Sequence, residues 1–110
     1  MQWKVKDITH APNGIKCIHY FNDFGIHYFS IYTDSLSVSL GTSSTFAAVG
    51  TIGRKLEADI VKNVIVSKNI NGVLKINTNG IVFIGFTTEN GNAVNLTTGT
   101  AIFISETFIF

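Results

Sequence analysis

Residues 72–86 read GVLKINTNGIVFIGF, which is two apolar runs joined by Asn-Gly. Asn-Gly between apolar runs indicates a β-hairpin. A two-residue loop would place Lys75 beside Ile84, whereas a three-residue loop ending in a left-handed Gly80 pairs Leu74 with Ile84. We favour the longer loop because it gathers the large hydrophobes on one face. Those hydrophobes are Leu74, Ile76, Val82, Ile84 and Phe86.

Short strand-like segments occur along the rest of the chain as well. Val, Ile, Thr, Phe and Tyr dominate these segments, and the glycines between them mark turns. Many short strands separated by turns indicate an antiparallel β-sandwich or barrel. We therefore expect one all-β domain spanning residues 1–110. The predicted strands lie near residues 3–8, 15–21, 26–32, 36–40, 45–52, 60–66, 72–77, 81–86, 93–96 and 101–110.

Residues 54–63 fit two interpretations. Leu56, Ile60 and Val64 share one face at helical spacing, and the order of acids before Lys62 suits a helix dipole. The β-branched run at residues 64–66 instead favours a loop followed by a strand. We predict the loop and strand, and keep one or two helical turns as the alternative.

The composition excludes several classes of function. The chain has 110 residues, of which 45% are hydrophobic and 14% charged, and its net charge is +1. That balance gives no electrostatic basis for binding nucleic acid. No apolar run approaches the roughly 18 residues of a membrane-spanning helix, so we expect no membrane insertion. The single cysteine, Cys17, cannot form an internal disulfide, and its apolar neighbours predict a buried thiol.

The tetrapeptide Ile-His-Tyr-Phe occurs twice, at residues 18–21 and 26–29. Two histidines with an aspartate between them raise the hypothesis of a metal site. If the intervening turn has four residues, His19 lies opposite Tyr28, and the two imidazoles point to opposite faces of the sheet. Only a turn of odd length would bring both imidazoles to one face. Because third and fourth ligands are also missing, we predict no metal site and no cofactor.

The same tetrapeptides supply aromatic side chains that suit saccharide binding. Aromatic rings offer a large contact area with a polar handle, and their faces stack on sugar rings. The candidate binding residues are Tyr20, His27, Tyr28 and Tyr32, with His19 and Trp3 as further members of the platform. The alternative is that most of these rings belong to the core or to a subunit interface.

The chain lacks the residue patterns of common catalytic sites. Glu57 and Asp59 are its only close pair of acidic residues, and we expect both to be solvated residues of a turn. No Gly-x-Ser-x-Gly elbow is present, and residues 50–55 lack the spacing of a phosphate-binding loop. We therefore predict that the protein is not an enzyme.

Two apolar features predict contact with other subunits. In the favoured hairpin, Ile81 and Phe83 lie on the face opposite the core, beside polar neighbours. The last strand stays apolar to its end and includes Phe108 and Phe110. Large hydrophobic side chains on a solvent-facing surface are usually shielded by another surface, and a neighbouring subunit is one candidate. The alternative is a last strand that completes its own core.

Three segments of the last two-thirds of the chain form a further pattern. They are TFAAVGTIGR at residues 45–54, GVLKINTNGIVFI at 72–84 and TAIFISETF at 100–108. The first is a strand leading into an arginine-bearing turn, the second a glycine–strand–Asn-Gly–strand hairpin, and the third a terminal strand. This pattern resembles the C-terminal domains of tail-fibre and baseplate receptor-binding proteins from phages of Gram-positive bacteria.

The resemblance implies a homotrimeric β-sandwich or jelly roll that is exposed on the virion and adheres to host cell-surface saccharide. Its partners would be further copies of the chain, other virion tail proteins and the saccharide. The resemblance assigns no binding residue. Two alternatives stay open, namely a purely structural trimerising virion module and a carbohydrate-binding module of a secreted bacterial protein.

Overall fold

The computed structural model describes residues 2–10, 15–35, 47–67, 70–88, 99 and 101–110. Within these ranges the chain forms eight strands and no helix. No helix in this part of the chain is long and apolar enough to cross a membrane. The strands are β1 (Lys4–Asp7), β2 (Lys16–Phe21), β3 (Ile26–Thr33), β4 (Ala47–Thr51), β5 (Ile60–Ser67), β6 (Ile70–Ile76), β7 (Ile81–Thr88) and β8 (Ile102–Ile109).

The strands form two four-stranded sheets, with orders β1-β2-β3-β8 and β4-β7-β6-β5. Every pairing in both sheets is antiparallel. The predicted all-β class with two antiparallel sheets is thus confirmed, whereas the jelly-roll path and the trimer stay predictions. The predicted strands at 36–40 and 93–96 lie outside the described residues.

The β6–β7 hairpin has the predicted register. Leu74 pairs with Ile84 and Ile76 with Val82. Gly80 closes the three-residue loop with a φ of 79°. The gathered hydrophobes are all buried, as the choice of the longer loop requires. They are Leu74, Ile76, Val82, Ile84 and Phe86, each no more than 1% exposed.

The ambiguous segment before β5 is a loop, as predicted. Residues 52–59 carry no helix, and β5 begins at Ile60. This loop wraps the β6–β7 turn, because the Leu56 amide donates to the Thr78 carbonyl at 2.8 Å. The Asp59 carboxylate accepts from the Thr78 amide at 3.0 Å. The loop therefore fixes one end of the second sheet.

The two sheets pack face to face and are joined at both sides. On one side the chain continues beyond β1, and the His10 amide donates to the Val49 carbonyl at 2.9 Å. On the other side, Lys62 of β5 forms an ion pair with Glu106 of β8 at 3.0 Å. The core between the sheets consists of Ile8, Ile15, Cys17, Phe29, Ile31, Val49, Val64, Leu74, Ile76, Val82, Ile84, Phe86, Ile102, Ile104 and Phe108.

Candidate functional site

The turn of the β2–β3 hairpin decides which side chains face the solvent. The Asn22 amide donates to the Ile26 carbonyl at 3.3 Å, which leaves a three-residue loop at 23–25. Gly25 closes that loop with a φ of 80°. The Asn22 side-chain oxygen also accepts from the amides of Phe24 and Ile26. The predicted four-residue turn was therefore wrong, and the turn has odd length.

The odd-length turn places both imidazoles on the inward face of the first sheet. His19 pairs with Phe29, and His27 pairs with Phe21, so the two histidines are diagonal neighbours. Each is only 5% exposed, and His19 Nε2 lies 2.9 Å from His27 Nδ1. The prediction of opposite faces was wrong. Among the residues described, no three His, Cys, Asp or Glu side chains cluster as metal ligands would.

Aromatic rings enclose the histidine pair. Phe29 stacks on His19 at 4.7 Å between centroids, and Phe110 stacks on His27 at 3.8 Å. Burial lowers the pKa of His19 to about 4, and the charges of His27, Arg54 and Lys6 act in the same direction. Burial also lowers the pKa of His27, although a hydrogen bond to the Phe110 backbone opposes the shift. Both imidazoles are neutral at pH 7.

The tyrosines of the two tetrapeptides lie on the opposite, outward face. Tyr20 pairs with Tyr28, and their rings meet edge to face at 5.6 Å between centroids. Val5 flanks Tyr20 on β1, and Thr107 flanks Tyr28 on β8. With Trp3 these side chains surround an open groove of about 640 Å³, which we call the tyrosine groove. Its lining residues are Trp3, Val5, Tyr20, Ile26, Tyr28 and Thr107.

The side chains around the tyrosine groove can contact a ligand through aromatic faces and through hydroxyl groups. None of its six lining residues is an aspartate, glutamate, histidine, lysine or arginine. Its polar groups are two phenol hydroxyls, one indole N–H and one threonine hydroxyl. Trp3 is 46% exposed and presents an aromatic surface to the solvent. The groove can therefore stack a ring and hydrogen-bond hydroxyl groups.

Two of the four predicted binding residues lie outside this groove. His27 is buried between the sheets, because the odd-length turn sends it inward, so it is not part of an exposed platform. Tyr32 lies on the outward face and is 38% exposed, but its neighbours are Lys16 and Phe103. It stands four residues from Tyr28 along β3, roughly 13 Å away.

Sequence reasoning missed three lining residues of the groove. Val5, Ile26 and Thr107 come from β1, β3 and β8. β1 and β8 pair with the β2–β3 hairpin through long-range contacts, and no local sequence pattern predicts this pairing. For Ile26 the signal was available, since it precedes Tyr28 by two residues on one strand and such residues share a face.

The predicted interface residues occupy different environments. Phe108 is 4% exposed and packs edge to face on Phe29 at 5.6 Å, inside the core of one protomer. That burial removes the reason to place Phe108 at a subunit interface. Phe110 is half-buried against His27. Ile81 and Phe83 are half-buried on the outward face of the second sheet, where Phe83 pairs with Lys75.

The one thiol offers no nucleophile. Cys17 is fully buried on the inward face of β2. Burial raises the pKa of the Cys17 thiol to about 12, so the thiolate form is not available near neutral pH.

Comparison of the chain with protein-family models, with curated proteins and with solved structures found no match. The chemistry of the tyrosine groove and the sequence resemblance are therefore the two grounds for assigning a function.

Proposed function

We propose that this chain is a non-catalytic receptor-binding domain of a phage tail fibre or baseplate, which adheres to host cell-surface saccharide through the tyrosine groove. The observation that carries the proposal is the grouping of Trp3, Tyr20 and Tyr28 around an open groove with no charged lining residue. The assignment to a virion, and to a trimer of jelly-roll domains, comes from the sequence resemblance.

The geometry of the groove supports saccharide as the ligand. A pyranose ring has apolar C–H faces that stack on aromatic rings and an equator of hydroxyl groups. The exposed Trp3 supplies a stacking surface, and the hydroxyls of Tyr20, Tyr28 and Thr107 surround it as hydrogen-bond partners. Each aromatic contact contributes only about 0.5–1.5 kcal/mol beyond area burial. A single groove should thus bind weakly, with a Kd on the order of 1 mM.

A trimer would convert weak single sites into firm adhesion. Linked copies that engage one polysaccharide together gain roughly 10²- to 10⁴-fold in avidity without any new contact. Three grooves of millimolar affinity would therefore suffice to hold a particle on a cell surface.

Binding to purified cell-wall polysaccharides from Gram-positive bacteria tests the proposal. Trp3→Ala and Tyr28→Ala should each weaken binding by about two- to tenfold, because each removes an aromatic contact worth about 0.5–1.5 kcal/mol. Tyr32→Ala is the matched control, since Tyr32 lies on the same face outside the groove. It should change binding by less than about twofold. Equal binding by all three variants, or no binding by the wild-type chain, would contradict the proposal.

A structural module that trimerises without a ligand is the second candidate. The observation that favours it is the exposure of apolar side chains on the groove face, where Val5 is 60% and Ile109 79% exposed. Light scattering combined with the polysaccharide assay separates the candidates. A trimer that binds no polysaccharide indicates the structural module, and a monomer that binds indicates a carbohydrate-binding module of a secreted bacterial protein.

A further inference from the structure

The buried histidine pair lies outside the tyrosine groove and takes no part in the proposed function. His19 and His27 are in direct contact, with 2.9 Å between Nε2 of the first and Nδ1 of the second. Their rings stack at 5.1 Å between centroids with 17° between the planes. A polar contact in the middle of an aromatic cluster is costly to bury unless its hydrogen bonds are complete.

The contact requires one N–H and one lone pair. The Phe110 backbone beside His27 raises the pKa of that imidazole, against the lowering by burial. In the neutral pair, one of the two facing nitrogens carries the N–H and the other supplies the lone pair. If both imidazoles were charged, two N–H groups would point at each other and the hydrogen bond would be lost.

Phe110 depends on His27 for its position. Its ring lies 3.8 Å from the His27 ring with 5° between the planes, and the Arg54 guanidinium covers it at 5.1 Å. Its amide donates to the Gly25 carbonyl at 3.0 Å. The residue after β8 is thus held by His27, by Arg54 and by the β2–β3 turn.

The charged groups around the pair favour its neutral form. Lys6 of β1 lies across from His19, and Lys4 lies across from Phe21. Arg54 approaches from the loop before β5. On the β8 side the nearby carboxylate of Glu106 is already paired with Lys62 at 3.0 Å. Cys17, on the same face of β2, holds its proton. Two further carboxylates lie nearby among the described residues, namely Glu57, which lines the cleft beside Arg54 and Phe110, and Asp23 of the β2–β3 turn.

We propose that the His19–His27 pair is a proton-operated latch, which holds the Phe110 end of β8 against the β2–β3 hairpin and releases it when the pair becomes charged. Above pH 6.5 both rings are neutral and the latch is closed. As the pH falls to 4 and below, protonation of both imidazoles sets two N–H groups against each other, which breaks the contact and places cations beside Arg54. The end of β8 then detaches while the second sheet keeps its pairing.

Amide hydrogen exchange of the full chain from pH 7 to pH 4 tests the latch. Each rate is divided by the intrinsic rate at the same pH. The protection of the Phe110 amide should fall at least about tenfold more than that of the Asn77 amide, which bonds to Ile81 in the other hairpin. Equal loss at both amides, or no loss at Phe110, would overturn the proposal.

Two further measurements test whether the histidines cause the loss of protection at Phe110. His27→Phe keeps the ring stack without a titrating group, so its Phe110 amide should keep its protection at pH 4. His10→Gln, which changes the exposed third histidine, should behave as the wild type does. In the wild-type chain, imidazole ¹⁵N shifts should show the second of the two imidazoles, His19 or His27, protonating at the pH where Phe110 is released. Release at a different pH, or acid release in a folded His27→Phe variant, would also overturn the proposal.

Discussion

The β2–β3 and β6–β7 hairpins share one turn sequence, Asn-x-x-Gly-Ile, at residues 22–26 and 77–81. In both, the asparagine side-chain oxygen accepts two backbone amides, from the second and the fourth residue that follow. In both, the glycine is left-handed, with a φ of 80° or 79°. Equal turns fix equal parity, so the alternate residues of each hairpin divide between the faces in the same way.

The two hairpins differ in the side chains that the shared parity distributes. The inward face of β6–β7 is aliphatic apart from Phe86. The inward face of β2–β3 carries the histidine pair, and its outward face carries Tyr20 and Tyr28. One hairpin thus serves the core alone, whereas the other supplies both the candidate binding face and the titrating pair. The comparison shows that a common turn can position quite different chemistry.

The largest expected difference between the hairpins concerns their turn glycines. A Cβ on Gly80 would overlap the Arg54 carbonyl oxygen, whereas one on Gly25 would lie 3.0 Å from the Phe110 oxygen. Both substitutions also meet the strain of a left-handed alanine. We expect Gly80→Ala to lower the free energy of unfolding by roughly 3–5 kcal/mol and Gly25→Ala by roughly 1–2 kcal/mol. Urea denaturation measures both.

Gly53→Ala is the control for the glycine comparison. Gly53 is also left-handed, but nothing lies within 4 Å of an added Cβ. Its substitution should cost about 1 kcal/mol, which isolates the backbone strain from the clash. An equal cost at all three positions would show that the close approach of Arg54 to the β6–β7 turn is not a constraint.

The next largest difference should appear on acidification. The folded-state pKa of His19 is lowered to about 4, so the unfolded chain binds the proton more readily. The pair's contribution to stability is therefore complete above pH 6.5 and is lost as the pH falls toward 4. We expect a loss of roughly 1–2 kcal/mol from this source between pH 7 and 4.5. Urea denaturation at each pH measures it.

A double variant is the control for the loss of stability at acid pH. His19→Phe with His27→Phe should flatten this part of the pH profile, because no inward imidazole is left to protonate. A substitution in the aliphatic hairpin, Leu74→Met, should leave the shape of the profile unchanged. An unchanged acid slope in a folded double variant would show that other groups cause the loss.

The smallest expected difference separates the two turn asparagines. Asn22→Ala and Asn77→Ala each remove an acceptor for two backbone amides. Asn22 is 7% exposed, whereas Asn77 is half-buried, so water replaces the lost acceptor less well at position 22. We expect losses of about 2 kcal/mol for Asn22→Ala and about 1 kcal/mol for Asn77→Ala. A larger loss at Asn77 in thermal or urea unfolding would reverse this ranking.

The sequence predicts which residues of the β6–β7 hairpin face inward, but it does not predict this for the β2–β3 hairpin. In β6–β7 only one loop length gathers the aliphatic residues, so hydrophobic contrast selects it. In β2–β3 both faces alternate apolar and aromatic residues, such as Ile18 with Tyr20 and His19 with Phe21, so either parity is plausible. The turn sequence shared with residues 77–81 was the signal that resolves the choice.

Long-range contacts explain the remaining errors. Phe108 and Phe110 look unshielded in the sequence because their partners are remote. Phe108 packs on Phe29, and Phe110 lies between His27 and Arg54. The tyrosine groove likewise needs β1 and β8, whose pairing with the hairpin depends on the whole fold. Composition and strand pattern predicted the two-sheet class, but they contain no information on these long-range contacts.

The division of the two tetrapeptides, with tyrosines outside and histidines inside, is the claim on which the binding face and the latch both depend. Photochemically induced dynamic nuclear polarisation measures the exposure of these rings directly. A light-excited dye polarises only the tyrosine, tryptophan and histidine rings that it can contact. At pH 7 we predict polarised signals from Trp3, Tyr28 and the exposed His10, and none from His19 or His27. Polarised signals from His19 or His27, with Tyr28 silent, would contradict the account.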